Sequence, residues 1–393
     1  MKRITTKNIH LGVKNSDSVF GSVNPPIYLS STYKFPNSEI GAKRFKGEEK
    51  GMIYSRFTNP TIQALEERLT ALEEAEASIA TSSGMSAITT VFFNFLKPGD
   101  EIIAHRVLYG GTTQLLTHIL PTFGIKTHFV DFKNKKEIVE KISSKTKIIY
   151  FESPTNPMLE VIDIQAIVNL AKKNNIMTVF DNTFSPLIQK PFNLGIDIII
   201  HSLTKYIGGH SDLIGGAIIG KKKLIDDIFN KSFIFFGPTL SSFSAFLALR
   251  GMTTLEIRLR QISENAKKII NFLESHPIIE KIYYPGYADK SQKEIVKKQM
   301  NEDIGLGGVI SFEVKGGYEK AKKIVDNVKI IYLAVSLGAV ESLIEHPASM
   351  THSELNENQL KEAGITPGLI RLSVGLEDSE DLINDLNQAF SKK

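Results

Sequence analysis

Short apolar runs alternate with amphipathic segments through the middle of the chain, a pattern that predicts strands alternating with helices. The run at 196–200 is almost wholly isoleucine, which is typical of a strand buried on both faces of a parallel sheet. Similar runs at 101–104, 147–151 and 176–180 each end in polar or turn-forming residues. The pattern predicts an α/β domain with helices on both faces of a mostly parallel sheet.

Apolar residues at helical spacing predict several of the accompanying helices. One begins near Ile62, with Leu65, Leu69 and Leu72 on one face. Others are predicted at 87–96, at 163–173 with Asp163 as the N-cap, and as one long stretch over 240–273.

The alternation fades after Gly220, and the rest of the chain predicts a second, smaller α/β domain. Its predicted elements are strands at 281–284, 308–314, 329–333 and 369–374, a helix at 317–327 and a final helix from about Asp378. Residues 1–60 show no sustained period. An arm of that length that packs only on its own subunit would be unusual, so a contact with a neighbouring subunit is expected.

Composition narrows the possible functions. The chain has 393 residues, 42% of them hydrophobic and 23% charged, as in an ordinary soluble globular protein. The net charge of +4 is dispersed, which speaks against nucleic acid as a partner. There is no cysteine, so disulfides, thiolate metal sites and cysteine nucleophiles are excluded, and no metal site is predicted. With no apolar stretch of membrane-spanning length and no apolar signal core, a cytoplasmic location without membrane contact is expected.

Lys205 follows the isoleucine-rich run and is flanked by Ser202 and Thr204, with Gly208 and Gly209 beyond. Ligands of open α/β sheets bind outside the carboxyl ends of the strands. A lysine there, beside small hydroxyl groups that can hold a phosphate, suits the binding of pyridoxal phosphate (PLP) as a Schiff base. For this lysine alone, a solvated residue in a glycine-rich loop is the alternative.

Two further segments suit a phosphorylated, flat cofactor. Ser83, Gly84 and Met85 precede an apolar helix, whose first amides and dipole can bind a phosphate. A simple N-cap by Ser82 or Ser83 is the alternative. Tyr109, between a strand and two glycines, can lay its ring against a cofactor or serve as a lid.

Two charged residues lie where they need partners. Asp181 ends the 176–180 strand, and a buried carboxylate there needs a cation such as a protonated pyridine nitrogen; an Asp that caps a turn is the alternative. Arg371 lies inside the 369–374 strand, where a substrate carboxylate would pair with it bidentately; a structural salt bridge is the alternative.

Taken together, these residues resemble the Cys/Met-metabolism family of PLP enzymes, of fold type I, over nearly the whole chain. The motifs that carry the resemblance are Tyr54-Ser55-Arg56 with Asn59-Pro60-Thr61, Ser83-Gly84-Met85, Tyr109-Gly110, Ser153-Pro154-Thr155-Asn156-Pro157, Asp181-Asn182-Thr183, the Lys205 segment, and His346-Pro347-Ala348-Ser349-Met350-Thr351-His352. The resemblance implies a mostly parallel seven-stranded sheet domain with helices on both faces. It divides the chain into an N-terminal arm (1–60), a PLP-binding domain (61–250) and a C-terminal α/β domain (251–393).

The resemblance also implies roles for individual residues. Lys205 would carry PLP and shuttle protons, Asp181 would keep the pyridine nitrogen protonated, and Tyr109 would stack on the ring and act as acid or base. The implied phosphate contacts are Ser83, Gly84, Met85, Ser202 and Thr204, with Tyr54 and Arg56 completing the site of a neighbouring subunit. Asn156, Ser336 and Arg371 would orient the cofactor hydroxyl and the substrate carboxylate. The implied assembly is a homotetramer built from dimers with shared active sites.

Two departures bear on the substrate, and only the second, at Val335, favours methionine. Methionine γ-lyases of this family often have a cysteine where this chain has Gly111, whereas cystathionine γ-lyases and γ-synthases typically have a glutamate where it has Val335. An apolar Val335 suits a short thioether better than the distal ammonium of cystathionine, which would be left without a counter-charge. The predicted reaction is γ-elimination of methionine. The alternatives are cystathionine γ-lyase or γ-synthase activity, O-acetylhomoserine sulfhydrylation, and a PLP-binding scaffold without catalysis.

Overall fold

Seven short apolar segments associate into one sheet in the computed structural model, which describes residues 3–12, 21–287, 290–351, 360 and 364–392. The strands are β1 (Ala77–Thr81), β2 (Glu101–His105), β3 (Lys126–Val130), β4 (Thr146–Glu152), β5 (Met177–Asp181), β6 (Ile198–Ser202) and β7 (Gly216–Gly220). Their order across the sheet is β1-β7-β6-β5-β4-β2-β3. Of these seven only β7 runs against its neighbours, so the predicted mostly parallel sheet is confirmed.

Helices cover both faces of this sheet. Up to the second sheet they are α1 (Ile4–His10), α2 (Ser38–Phe45), α3 (Pro60–Glu73), α4 (Gly84–Phe95), α5 (Gly110–Gln114), α6 (Lys135–Lys141), α7 (Ile164–Lys173), α8 (Lys222–Ile228), α9 (Ile234–Phe236), α10 (Ser242–Thr253) and α11 (Leu255–Ser275). Within β6, Ile199 packs into one apolar cluster while Ile198 and Ile200 pack into another. Burial on both faces explains why this strand is apolar at consecutive positions.

The predicted helix starts agree with the caps in the structure. Leu65, Leu69 and Leu72 of α3 are fully buried, and the Asn59 side chain accepts the Thr61 amide just before the helix. The Asp163 side chain caps α7 in the same way, by accepting the Ala166 amide.

The long helical stretch predicted over 240–273 is present, but it is two helices, because the chain breaks between α10 and α11 at Thr254. The buried Arg258 guanidinium stabilises the break by donating to the carbonyls of Tyr206 and Gly251, at 2.8 Å each. A Cβ at Gly251 would lie 2.3 Å from the Gly208 oxygen, so only glycine allows this approach of two backbones. Helix α11 then runs from the core of the first sheet, with Leu259, to that of the second, with Leu273.

The second sheet has five strands in the order β10-β11-β12-β9-β8. The remaining elements are β8 (Ile279–Tyr283), α12 (Lys290–Gln299), β9 (Val309–Val314), α13 (Gly317–Asp326), β10 (Tyr332–Leu333), β11 (Leu343–Glu345), β12 (Leu369–Ser373) and α14 (Ser379–Phe390). The strand predicted at 329–333 is shorter than expected. The amides of Lys329, Ile330 and Ile331 donate to the Asp385 carboxylate of α14 instead of to a neighbouring strand.

Part of the N-terminal arm is helical and packs on its own subunit, contrary to the irregular segment predicted. The Arg68 side chain of α3 donates to the carbonyls of Leu11 and Ile9, which follow or lie within α1. A short helix such as α1 is held by such contacts and leaves no sustained period in the sequence. No helix among the described residues is long and apolar enough to cross a membrane.

Candidate functional site

A cavity of about 740 Å³ opens where β4, β5 and β6 end, and residues of both sheets line it. Ligands bind at such strand ends in open α/β sheets. The predicted site residues that line it are Ser83, Gly84, Met85, Tyr109, Gly111, Asn156, Asp181, Ser202, Thr204, Lys205, Val335, Ser336 and Arg371. Tyr54 and Arg56 are not among the lining residues. The structure therefore brings together residues that are 288 positions apart in sequence, from Ser83 to Arg371.

Lys205 projects from the loop after β6, and its Nζ donates to Ser336 Oγ at 2.6 Å. Burial and, to a lesser degree, the positive charge of Arg371 lower the pKa of the Lys205 amine to about 8, against the opposing effect of Glu345. A neutral amine is the form that attacks a carbonyl carbon, and this environment makes it accessible near neutral pH.

Arg371 lies beside Lys205 and is only 4% exposed. Its Nη1 donates to Asn156 Oδ1 at 2.9 Å and lies 3.0 Å from Glu345 Oε1, while its Nη2 donates to the Ser336 carbonyl at 2.9 Å. The structural salt bridge, which the sequence left as the alternative for Arg371, is thus present, and its partner is Glu345. Arg371 lines the cavity nonetheless, so the ion pair does not remove it from the site.

Asp181 ends β5 directly opposite Glu152, its register partner at the end of β4. Burial raises the pKa of both carboxyl groups; hydrogen bonds from Thr183 and the charge of His201 oppose the rise at Asp181. Two buried carboxyl groups side by side favour one cation between or next to them.

A buried polar cluster lies behind this pair. Glu73 Oε1 is 2.6 Å from His201 Nε2 and accepts a hydrogen bond from Asn182 Nδ2 at 2.8 Å. Both the His201 and the Glu73 side chains are completely buried. The cluster connects the end of α3 to the residues next to Asp181 and Ser202, and so fixes the two strand ends relative to each other.

The start of α4 forms the opposite wall. Ser83 and Ser86 form a capping box, in which the side chain of each accepts the backbone amide of the other. The N-cap by Ser83, which the sequence left as an alternative, is therefore present. A Cβ at Gly84 would lie 3.0 Å from the Ser202 Cβ, so a larger residue would push the helix start a few tenths of an ångström away from Ser202. The first amides of α4 and the Ser202 and Thr204 side chains therefore surround one end of the cavity.

The outer wall of the cavity is apolar and open. Tyr109, Ile214 and Val335 are 49%, 66% and 53% exposed. A Cβ at Gly111 would lie 2.7 Å from the ring of Tyr109, so the small residue makes room for the tyrosine. Any larger residue at 111 would have to displace that ring.

Tyr54 and Arg56 lie apart from the cavity on the same chain. The Arg56 guanidinium donates to the Ile234 carbonyl and lies 4.7 Å from the centroid of the Phe57 ring. Within one subunit, neither residue takes part in the site.

Sequence reasoning missed Glu152, Thr183 and Glu345. Glu152 stands directly before the Ser153-Pro154 motif, and Thr183 closes the Asp181-Asn182-Thr183 motif, where its hydroxyl accepts the Ser202 amide at 2.8 Å. Glu345 stands directly before the His346 motif, of which Met350 and Thr351 line the cavity. The last motif residue, His352, lies outside the described residues.

A family model described as Cys/Met metabolism PLP-dependent enzyme matches residues 5–391. An L-methionine gamma-lyase of Fusobacterium nucleatum subsp. polymorphum is 46% identical over 393 residues, with 98% of each chain covered. A cystathionine gamma-lyase of Bacillus subtilis is 42% identical over 386 residues, again with 98% of each chain covered. The structure of a putative O-acetylhomoserine (thiol)-lyase from Campylobacter jejuni, which carries N'-pyridoxyl-lysine-5'-monophosphate, superposes with a TM-score of 0.93 at 36% identity, covering 99% of this chain and 100% of that one.

Proposed function

Because this chain belongs to the Cys/Met metabolism family of PLP-dependent enzymes, and is a PLP-dependent carbon–sulfur lyase, we propose that its substrate is L-methionine. The reaction is γ-elimination of methionine, which with one molecule of water gives methanethiol, 2-oxobutyrate and ammonia. The observation that carries the proposal is the side chain of Val335, which lies next to Ser336 in the outer wall and gives a thioether methyl group an apolar contact. The similarity to relatives named as methionine gamma-lyases supports the same substrate.

The residues of the cavity fit the cofactor. The amides at the start of α4, with Ser202 and Thr204, suit the phosphate group, because Gly84 leaves the space that a Cβ would fill. The Asp181 carboxylate suits a protonated ring nitrogen, which would supply the cation that its burial calls for. PLP, when bound, supplies an electron sink for the charge left on the substrate Cα.

The chain's own groups have separate tasks in this proposal. Lys205 Nζ takes the proton from Cα, as an amine whose pKa of about 8 is near neutral pH. Tyr109 lies on the open side, where it donates a proton toward the leaving sulfur. Arg371 and Asn156, joined by their 2.9 Å hydrogen bond, hold the α-carboxylate.

One observation favours cystathionine as a second candidate. A groove adjoins the cavity and shares Thr204, Ile214, Val335 and Ser336 with it, and two carboxylates, Asp212 and Glu341, line that groove. A substrate with a distal ammonium group would find a counter-charge there if its longer chain passed Val335. O-acetylhomoserine sulfhydrylation remains a further alternative within the family.

The substrate is tested with the PLP-loaded enzyme and a panel of methionine, cystathionine, and O-acetylhomoserine with sulfide. We expect the highest kcat/KM for methionine, with 2-oxobutyrate and methanethiol as products. A higher kcat/KM for cystathionine would make the adjoining groove, rather than Val335, the determinant of specificity. A protein whose visible absorbance does not change with any amino acid would be the scaffold without catalysis.

Val335→Glu is expected to move preference toward cystathionine by about 1–3 kcal/mol, or roughly 5–150-fold in the ratio of kcat/KM values. The new carboxylate would pair with the distal ammonium and would present a charge to the methionine methyl group. Val335→Gln is the matched control, because it has nearly the same shape without the charge. Equal shifts in both variants would show that size, not charge, controls the choice.

We also propose a homotetramer built from dimers whose sites are completed by the neighbouring subunit. Arg56 and Tyr54 do not line the cavity of their own chain. The exposed Phe235 and Phe236 directly follow Ile234, whose carbonyl Arg56 contacts, and Phe243 is exposed on α10. Exposed apolar side chains in this number are typical of a subunit interface. The cytoplasmic location, the domain boundaries and the absence of nucleic-acid partners stay predictions.

Mixing Arg56→Ala and Lys205→Ala subunits tests the shared site. Each variant alone is expected to be nearly inactive, but in a mixed dimer one of the two sites has both native residues. After full exchange of equal amounts, about a quarter of all sites are intact, because half of the dimers are mixed. Activity is measured after exchange is shown with differently tagged subunits. Proven exchange without recovery would place Arg56 in the site of its own chain.

A further inference from the structure

Glu345 and Arg371 face each other across two antiparallel strands. They are register partners of β11 and β12, so their side chains project from the same face of the sheet. Their ion pair measures 3.0 Å, and the two residues are 1% and 4% exposed. Arg371 lines the cavity and Glu345 does not, so the carboxylate meets the guanidinium away from the cavity surface.

The three nitrogens of the Arg371 guanidinium differ in their partners. Nη1 donates to Asn156 Oδ1 at 2.9 Å and lies 3.0 Å from Glu345 Oε1 in the ion pair. Nη2 donates to the Ser336 carbonyl, while Nε, although buried, has no partner within the part of the chain that the structure describes. The Nε–Nη2 edge therefore keeps a free donor for a carboxylate.

From this arrangement we propose that Glu345 is a positioning residue that sets the affinity of Arg371 for the substrate α-carboxylate. It holds Nη1, so that the Nε–Nη2 edge receives the carboxylate, and its charge compensates the buried arginine when no substrate is bound. The inference rests on the proposed function, in which Arg371 binds that carboxylate. The substrate carboxylate binds to an arginine that is already paired with Glu345, so its affinity is lower than an unpaired arginine would give.

The charge of Glu345 is separable from its shape. Glu345→Gln keeps a side-chain oxygen beside Nη1 and has almost the same shape, but it removes the negative charge. The guanidinium then stays in place without a counter-charge, and an incoming carboxylate should bind more tightly.

The test uses two halves of methionine on the PLP-loaded enzyme. The probe 4-(methylthio)butanoate has the carboxylate but no amino group, and the control 3-(methylthio)propylamine has the amino group but no carboxylate. Dissociation constants are measured by calorimetry. In Glu345→Gln we expect the butanoate to bind about tenfold more tightly, with the affinity for the amine unchanged. The KM for methionine should fall by a similar factor while kcat changes little.

A second measurement is independent of turnover. Glu345→Gln should melt at a lower temperature than the wild type without ligand, and the butanoate should raise its melting temperature more than it does for the wild type. A purely structural role for Glu345 would lower the melting temperature but leave the preference between the two probes unchanged. That outcome, or weaker butanoate binding in the variant, would overturn the inference.

Thr351→Val provides a second variant if Glu345→Gln does not fold. Thr351 donates to Glu345 Oε1 at 3.1 Å, the same oxygen that pairs with Arg371. Removing that donor should strengthen the ion pair and weaken butanoate binding about threefold, with the affinity for the amine unchanged. Unchanged or tighter butanoate binding would contradict the inference.

Arg371→Ala separates this inference from the proposed function. If the butanoate binds equally well to Arg371→Ala and to the wild type, Arg371 is not the carboxylate site and the proposed role of that residue fails. If Arg371→Ala loses the butanoate while Glu345→Gln shows no gain, only the role of Glu345 fails.

Discussion

Lys205→Ala is expected to lower the turnover of a sulfur amino acid by at least about a thousandfold, or about 4 kcal/mol in the barrier. The alanine removes the only amine that lines the cavity among the described residues, and with it the base for the substrate Cα. Burial and the charge of Arg371 give this amine a pKa of about 8, which an ordinary surface lysine does not have. The rate of 2-oxo acid formation from methionine measures the loss.

The control is Lys222→Ala, which removes an exposed lysine whose Nζ pairs with Asp226 at 2.9 Å. That variant should keep full activity, because a surface ion pair contributes little. Borohydride reduction of the wild type, followed by peptide mapping, should find the pyridoxyl group on Lys205. A pyridoxyl group on another lysine, or near-normal turnover of Lys205→Ala, would contradict the assignment.

The sequence could predict the residues that follow strands, because strand ends can be recognised from apolar runs alone. Asp181 comes directly after such a run and Lys205 comes five residues after the end of another, and parallel strands bring their carboxyl ends to one edge. The approximate places of Ser83 and Arg371 were likewise predictable, since a helix start and an arginine within an apolar strand are visible in the chain. The α/β fold class is confirmed, because the same apolar runs mark the strands of the mostly parallel sheet.

Partners that meet across the fold were not predictable. Glu345 lies on a strand of three residues, too short to show a period, and its pairing with Arg371 depends on the register of β11 and β12. Glu152 stands directly before the Ser153-Pro154 motif, and only the pairing of β4 with β5 makes it the neighbour of Asp181. The break at Thr254 depends on Arg258 and Gly251 contacting a loop more than 40 residues earlier in the chain. Contacts of this kind are set by tertiary packing and leave no local signal.

Asp181→Asn is expected to leave the fold intact and to remove most of kcat. Burial raises the pKa of the Asp181 carboxyl, so the ionised group is costly in the folded chain until a cation pairs with it. Asparagine avoids that cost, and its side-chain oxygen can still accept the Thr183 amide, which donates to Asp181 Oδ1 at 2.9 Å. The cofactor-free variant should therefore melt at or above the temperature of the wild type.

The loss of turnover follows from the missing charge. A neutral amide does not keep the ring nitrogen protonated, so the electron sink is weaker, and the barrier should rise by about 3–5 kcal/mol, as when a buried charge partner is removed. This corresponds to a fall of at least about a hundredfold in kcat, measured with methionine at saturating concentration. Glu152→Gln is the matched control, because Glu152 is the register partner of Asp181 and burial raises its pKa as well, so each variant replaces one of two neighbouring buried carboxyl groups by an amide. The control should keep far more activity than Asp181→Asn. If instead Asp181→Asn is nearly normal and Glu152→Gln is inactive, then Glu152 holds the proton on the ring nitrogen, and the two neighbouring carboxyl groups have the reverse of the roles proposed for them.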